Sequence, residues 1–249
     1  MTIYKKKRLD RLLVDKGLAA TRSRAADLVR LGSVSVGGVT ALKPGLMVAP
    51  DSNLAVSAGA SPFVSRGELK LAAALDAFWL DPKGLIALDI GASTGGFTEV
   101  LLARGAAKIF AVDVGRDQLH PKLRQDPRVV VLEATDSRSL DASIINEPVS
   151  AMVADVSFIS LTKALPVPLR LAAPGAWLVA LVKPQFEAGR ETVGKGGIVR
   201  DSVARAKAVA SVREFIQAQP GWTVFAEMPS AILGGSGNEE VLIGARHGA

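Results

Sequence analysis

Cysteine is absent from all 249 residues. That excludes disulfides, thiolate metal sites, iron–sulfur clusters and a cysteine nucleophile. Histidine is nearly as scarce. Only His120 and His247 offer an imidazole, and their separation along the chain argues against a zinc site or any other metal. Aromatic residues make up 5%, and no basic amphipathic segment is rich in them, which argues against a membrane-lytic helix. Long apolar runs are missing too. Leu171 to Val182 is the longest, and Pro174 and Gly175 interrupt it, whereas a membrane span needs about 20 residues. The opening MTIYKKKRLDRLLVDKG is charged with no apolar stretch behind it, so no signal peptide is expected. The chain is expected to be cytoplasmic.

What is present is apolar bulk and positive charge. Apolar residues reach 49%, enough for a sizeable core, and the net charge is +6. That charge is uneven. Residues 1–60 hold ten basic side chains against four acids, and the other 20 basic and 20 acidic residues cancel. A basic head on a neutral body points to a polyanion held at one end, or to a terminus that only aids solubility.

The pattern along the chain changes near residue 60. Before it, Leu9, Leu12, Leu13 and Val14 beside Lys5, Arg8, Arg11 and Lys16 predict a short amphipathic helix that ends at Gly17. Thr21 is placed to cap a second helix that stops at Gly32. Val34, Val36 and Val39 around Gly37-Gly38 predict a hairpin, and Met47–Val48 and Leu54–Val56 further short strands. The expected domains are a small α+β unit over 1–60, a linker over 61–66, and a larger domain over 67–249. In the larger domain, short apolar runs begin near 85, 108, 129, 150, 177, 222 and 240. Helices are expected near 68–78, 97–103, 161–171 and 201–217. Such runs joined by helices predict an α/β, doubly wound, Rossmann-like fold of seven strands, with a mostly parallel sheet covered on both faces.

Leu88-Asp-Ile-Gly-Ala-Ser-Thr-Gly-Gly-Phe-Thr98 follows the first of these strands and opens a helix. Its glycines, Gly91, Gly95 and Gly96, allow a sharp turn and close approach to a ligand. The spacing is neither the dinucleotide fingerprint nor a nucleoside triphosphate loop. Asp89 before the loop suits a ligand ammonium and would repel a pyrophosphate. Asp113 ends the next strand, where a carboxylate accepts from ribose hydroxyls. Asp136 follows the third strand, where an adenine amino group would fall. This ordered set, with Ser93 and Phe97 in the loop, is the pattern of S-adenosylmethionine, against which stands a doubly wound fold whose acids merely cap helices.

Further charges stand at strand ends. Asp155 closes the fourth strand, Lys183 the fifth, and Glu240 opens the last; Glu240 reaches the ligand edge only if that strand runs antiparallel. Lys70 lies on or just before the helix preceding the first strand. Burying ammonium is costly unless carboxylates pair with it, so two lysines and two carboxylates would neutralise one another. An amine so placed can take a proton from a hydroxyl attacking a sulfonium methyl. Two structural salt bridges are the plain alternative.

VSRGELKL, LDIGASTGGFTEVLL, ADVSFISL, LVKPQFEAG and GNEEVLIG, in this order, resemble the TlyA-type ribosomal RNA methyltransferases, also labelled haemolysins. The segment from Lys7 to Gly38 is similar to the alpha-L RNA-binding domain first described in a ribosomal protein. The resemblance implies 2′-O-methylation of ribose, chiefly in cytidines, with ribosomal RNA or ribosomal subunits as partner. It also implies a Lys-Asp-Lys-Glu tetrad shared with FtsJ-like enzymes, carried onto Lys70, Asp155, Lys183 and Glu240, with Lys183 as base or proton-orienting group. Glu68 stands where many relatives have a second glycine, which bears on the surroundings of Lys70. In the head domain Arg8, Arg11, Arg22, Arg24 and Arg30 are the candidate phosphate contacts, which fix position without reading sequence.

Three other functions, base amino methylation, a membrane-active haemolysin and an RNA-binding assembly factor, stand as alternatives to this one, and a fourth, carbon-5 methylation of cytosine, is excluded. Amino methylation of a base usually wants prolines that Asp155-Val-Ser-Phe158 lacks, and carbon-5 methylation of cytosine lacks its thiolate. A membrane-active haemolysin lacks a span. An RNA-binding assembly factor with an inactive enzyme domain would not bind the cofactor. Gln185 to Arg200, rich in glycine, is either a loop ordered by RNA or an ordinary surface excursion. Oligomeric state is not legible.

Overall fold

A computed structural model describes residues 6–19, 22–30, 32–57, 67–234 and 237–248, with the side chains of Ser23, Arg24 and Asp27 excepted. Thr21, proposed above as a cap, and the linker 61–66 lie outside the described residues. The chain divides into two compact units, 1–66 and 67–249.

In the first unit β1 (Lys7–Arg8) pairs antiparallel with β4 (Met47–Val48). Between them lie α1 (Leu9–Asp15), α2 (Arg22–Arg30), β2 (Val34–Val36) and β3 (Val39–Thr40). A separate sheet has the order β3-β2-β5, with β5 spanning Leu54–Val56. Gly37 and Gly38 both carry positive φ, 59° and 84°, the conformation a two-residue hairpin turn requires. Leu9, Leu12 and Leu13 of α1 meet Leu28 and Val29 of α2 over Val34 and Val48. The sequence pattern drew Lys7 and Arg8 into the first helix. They pair as a strand instead, because Leu9 N–H and Asp10 N–H donate to Leu46 and Pro44 carbonyls and hold this stretch against the 44–48 segment.

The second unit is mixed α/β, with the α3 helix (Gly67–Ala77) leading into a seven-stranded sheet. In chain order its strands are β6 (Ile86–Ile90), β7 (Lys108–Val112), β8 (Val129–Leu132), β9 (Val149–Ala154), β10 (Ala172–Val182), β11 (Trp222–Pro229) and β12 (Val241–His247). Their spatial order is β11-β12-β10-β9-β6-β7-β8. Strands β10, β9, β6, β7 and β8 are parallel, and β12 is antiparallel to both its neighbours. Every side chain from Ala176 to Val182 is buried. Both faces of the strand are therefore covered, which is why its sequence is continuously apolar instead of alternating.

The connecting helices are α4 (Gly96–Ala103), α5 (Pro121–Arg124), α6 (Leu161–Ala164), α7 (Pro166–Leu169), α8 (Pro184–Glu187) and α9 (Ser202–Gln217). The helix expected over 161–171 is split. Pro166 has no N–H to continue the ladder and begins a new turn at its own first position. Strand β10 starts at Ala172, earlier than the strand expected from 177, and runs through Pro174 and Gly175 with an irregular register between Ala172 and Trp177. The stretch 185–200 contains the end of α8, a 3-10 turn at Arg190–Thr192 and a bridge from Gly194 to Ile198. Among the described residues no helix is long and apolar enough to cross a membrane.

Candidate active site

Parallel strands present their carboxyl ends at one edge, and there the sheet places its polar residues. Gly91, Asp113, Asp155 and Lys183 each directly follow β6, β7, β9 and β10. Glu240 directly precedes β12. Because β12 is antiparallel and Val182 pairs with Val241, continuing the register sets Lys183 opposite Glu240. The condition for Glu240 to reach this edge is met.

The four charges form two close pairs. Lys70 Nζ, from α3, donates to Glu240 Oε2 at 2.6 Å, with side chains 10% and 2% exposed. Lys183 Nζ lies 2.6 Å from Asp155 Oδ1 and donates to Ser157 Oγ at 2.8 Å. Two ammoniums and two carboxylates cancel, which is what allows such charges to be buried at all. Ser157 and Asp155 line a cleft of about 1110 Å³, so Lys183 is anchored on two groups of its wall.

Gly91, Ser93, Asp113, Gln118, Asp136 and Arg138 line the same cleft. Gly91 has φ 85°, and a Cβ there would come 2.8 Å from the Asp155 carbonyl oxygen. A side chain would push the turn away from Asp155. Asp113 accepts from Ser93 N–H at 2.8 Å and from Gly115 N–H at 2.7 Å, one on each carboxylate oxygen. Each oxygen keeps a lone pair for a further donor. Asp136 caps the following 3-10 turn through Arg138 N–H and pairs with the Arg138 guanidinium. That guanidinium holds the Asp136 carboxyl below its ordinary range.

Asp89 does not line the cleft. It is fully buried within β6, two residues before Gly91, and Thr98 Oγ1 donates to its Oδ2 at 2.6 Å. Its Oδ1 has no hydrogen-bond partner among the described residues. Burial pushes this carboxyl up to about 7; the Thr98 hydroxyl opposes the shift, and the charge of Asp155 adds to it. Gly95, Gly96 and Phe97 are likewise absent from the cleft wall. Gly95, at φ 99°, leaves the room that Leu119 and Leu123 occupy, and Phe97 is buried.

Several residues at the site were not singled out in the sequence. Ser157, the partner of Lys183, had no signal beyond standing two residues after Asp155. Phe158 is 92% exposed with φ 67°, and its ring lies 5.3 Å from that of Phe186, also on the cleft wall. An aromatic one turn past a strand end was the signal available. Lys163 and Arg190 line the cleft too.

In the first unit the five candidate arginines do not stand alike. Arg8 and Arg22 both hold Asp10, at 2.7 and 3.1 Å. Arg11 and Arg30 are exposed, and the Arg24 side chain lies outside the described residues.

A parallel sheet with a glycine loop after its first strand and a charged cluster at its carboxyl edge defines a nucleotide-type cofactor fold. The FtsJ-like methyltransferase model matches residues 63–247, and the S4 domain model matches 7–54. The chain belongs to the FtsJ-like methyltransferase family and to its TlyA-type members. It is 46% identical, over 96% of its length and 89% of the relative's, to the 16S/23S rRNA (cytidine-2′-O)-methyltransferase TlyA of Mycobacterium tuberculosis. It is 39% identical, over 94% and 98%, to Hemolysin A of Brachyspira hyodysenteriae. A solved structure from Streptococcus thermophilus bearing a provisional hemolysin name superposes with a TM-score of 0.77 at 41% identity, covering 98% of this chain and 89% of that one. The chain is therefore a methyltransferase with an N-terminal S4 domain.

Proposed function

We propose that this chain transfers a methyl group from S-adenosylmethionine to the 2′-hydroxyl of a ribose, that of a cytidine in ribosomal RNA, while its S4 domain holds the RNA. The name of the Mycobacterium tuberculosis relative supports the substrate. The observation that carries the reading is the 2.6 Å ion pair between Lys183 and Asp155, a residue lining a cleft that Gly91, Asp113 and Asp136 also line.

The residues present fit that cofactor. Asp89 Oδ1, buried just before the Gly91 turn, is an acceptor without a donor among the described residues, which an amino-acid ammonium reaching past that turn would satisfy. Gly91 lets the ligand approach the backbone, and Asp113 offers free lone pairs to ribose hydroxyls. Asp136, on the rim, is the group for an adenine amino donor. When bound, the cofactor supplies an electron-poor methyl group on sulfur. Lys183, fixed by Asp155 and Ser157, orients the ribose hydroxyl and offers Nζ as the group that takes up its proton. Lys70 and Glu240 neutralise one another as a second buried ion pair. Phe158 and Phe186 give the nucleotide an apolar face on which to rest, and the basic S4 surface binds phosphates without choosing bases.

The test is methyl transfer to ribosomal RNA by the whole chain and by Lys183→Ala. The variant should keep its fold and its affinity for S-adenosylhomocysteine and lose at least about 100-fold in rate, the low end of what general-base assistance contributes. Digestion of the product to nucleosides should yield a methyl group on ribose. Full activity of the variant, or a methyl group on the base, would defeat the proposal.

A further inference from the structure

A second carboxylate network, outside the charged cluster, shapes the cofactor end of the cleft. Glu133 directly follows β8, and its side chain is 12% exposed. Its Oε1 accepts from Gln118 N–H at 2.8 Å and Leu119 N–H at 2.9 Å, and its Oε2 from Asp117 N–H at 2.9 Å. The Arg124 guanidinium also donates to Oε2. Three successive backbone amides therefore converge on one carboxylate. For that convergence Asp117 sits at φ 53°, a left-handed conformation that aspartate adopts more readily than most residues with a Cβ.

The turn so held is part of the cleft. Its Gln118 side chain lies over Gly115, where any Cβ would collide with the carboxamide. It also meets Ser93, with Oε1 3.2 Å from the serine hydroxyl. Asp113, Ser93, Gly115 and Gln118 all line the cleft. Backbone bonds from Ala134 N–H to Gly115 O and from Thr135 N–H to Asp113 O tie the same turn to the segment after Glu133. Burial alone would push the Glu133 carboxyl up, yet the amides of Leu119, Gln118 and Asp117 and the Arg124 guanidinium hold it at about 2. The carboxylate stays charged at any physiological pH.

We infer that Glu133 is a positioning residue for cofactor binding, holding the 115–119 turn so that Gln118 closes over the ribose-binding carboxylate Asp113. The inference rests on the reading of this cleft as the S-adenosylmethionine site. Gln118 is the group that touches ligand, and Glu133 acts through it. Glutamine at 133 would keep the shape but turn an amide donor toward donors already aimed at Oε2. The turn would then shift, and the carboxamide of Gln118 with it.

Titration calorimetry of the full chain with S-adenosylhomocysteine tests this, with thermal melts as the check on folding. Glu133→Gln and Gln118→Ala should each weaken binding about tenfold, and the double variant should be no weaker than Glu133→Gln alone. In methyl-transfer assays the KM for S-adenosylmethionine should rise while kcat at saturating cofactor holds, a split that loss of stability would not produce. Wild-type affinity in a folded Glu133→Gln protein would overturn the inference, as would fully additive losses. Should Glu133→Gln not fold, Gln118→Ala decides alone, and unchanged affinity there is the overturning result. Wild-type protein that binds no S-adenosylhomocysteine would instead remove the cofactor reading itself.

Discussion

Lys70 and Glu240, 170 positions apart in the chain, meet through a 2.6 Å hydrogen bond between an ammonium and a carboxylate that are both almost buried. The bond ties α3 to the start of β12. Breaking such a pair by removing one partner leaves an uncompensated buried charge, at a cost of about 3–5 kcal/mol, whereas replacing both with apolar groups is often neutral. Lys70→Met and Glu240→Met should each lower unfolding free energy by about that amount in denaturant titrations. The double variant should recover most of it. If the pair also serves the chemistry, the recovered protein should still transfer methyl groups at least tenfold more slowly.

Asp89 makes the opposite kind of electrostatic statement. Its carboxyl is pushed up to about 7 in the folded protein, against about 3.9 in an unfolded chain. The native state therefore binds the extra proton between these values. The associated stability is complete below about pH 4, fades as pH rises, and is gone above about 7, a swing of at most about 4 kcal/mol. Asp89→Asn should flatten this slope in unfolding measured from pH 5 to 8. A cationic amine beside Asp89 would favour the anion, so S-adenosylhomocysteine binding near pH 6.5 should release a proton. Calorimetry in buffers of different ionisation enthalpy reads that release directly, and Asp89→Asn should abolish it.

Much of this architecture is legible in the sequence because burial leaves a plain trace. Strands covered on both faces, such as Ala176–Val182, are uninterrupted apolar runs, and a lysine closing one of them stands out for that reason. The edge reached by Glu240 was conditional, because residue pattern does not encode strand direction; the antiparallel β12 resolves it. Other features depend on contacts far apart in sequence. Glu133 is an ordinary strand-end residue until the 117–119 amides fold onto it. The split at Pro166 is local and was visible, but the apolar periodicity across it masked the missing donor.

Asp10 shows the same limit in the first unit, and it separates arginines that the sequence made equivalent. The Asp10 side chain is 3% exposed and holds Arg8 through two hydrogen bonds, at 3.1 and 2.7 Å, and Arg22 through one. The Arg8 guanidinium is the chief reason that its carboxyl sits below the ordinary range. Arg8→Ala removes a charged hydrogen-bond pair from a buried acid, worth about 1.5–3 kcal/mol, so it should lower the melting temperature as well as RNA affinity. Arg11 donates its backbone N–H to Asp10, while its side chain is exposed. Arg11→Ala should leave the melting temperature unchanged. If Arg11 contacts a phosphate, the slope of log affinity against log salt should become shallower by about 0.7–0.9, the release of one counterion contact. Binding to ribosomal RNA fragments between 50 and 200 mM salt, a window of roughly this kind being the usual one for such slopes, measures both. A salt slope unchanged by Arg11→Ala would place the phosphate contacts elsewhere on the unit, and a melt unchanged by Arg8→Ala would mean that Arg22 alone satisfies the buried acid.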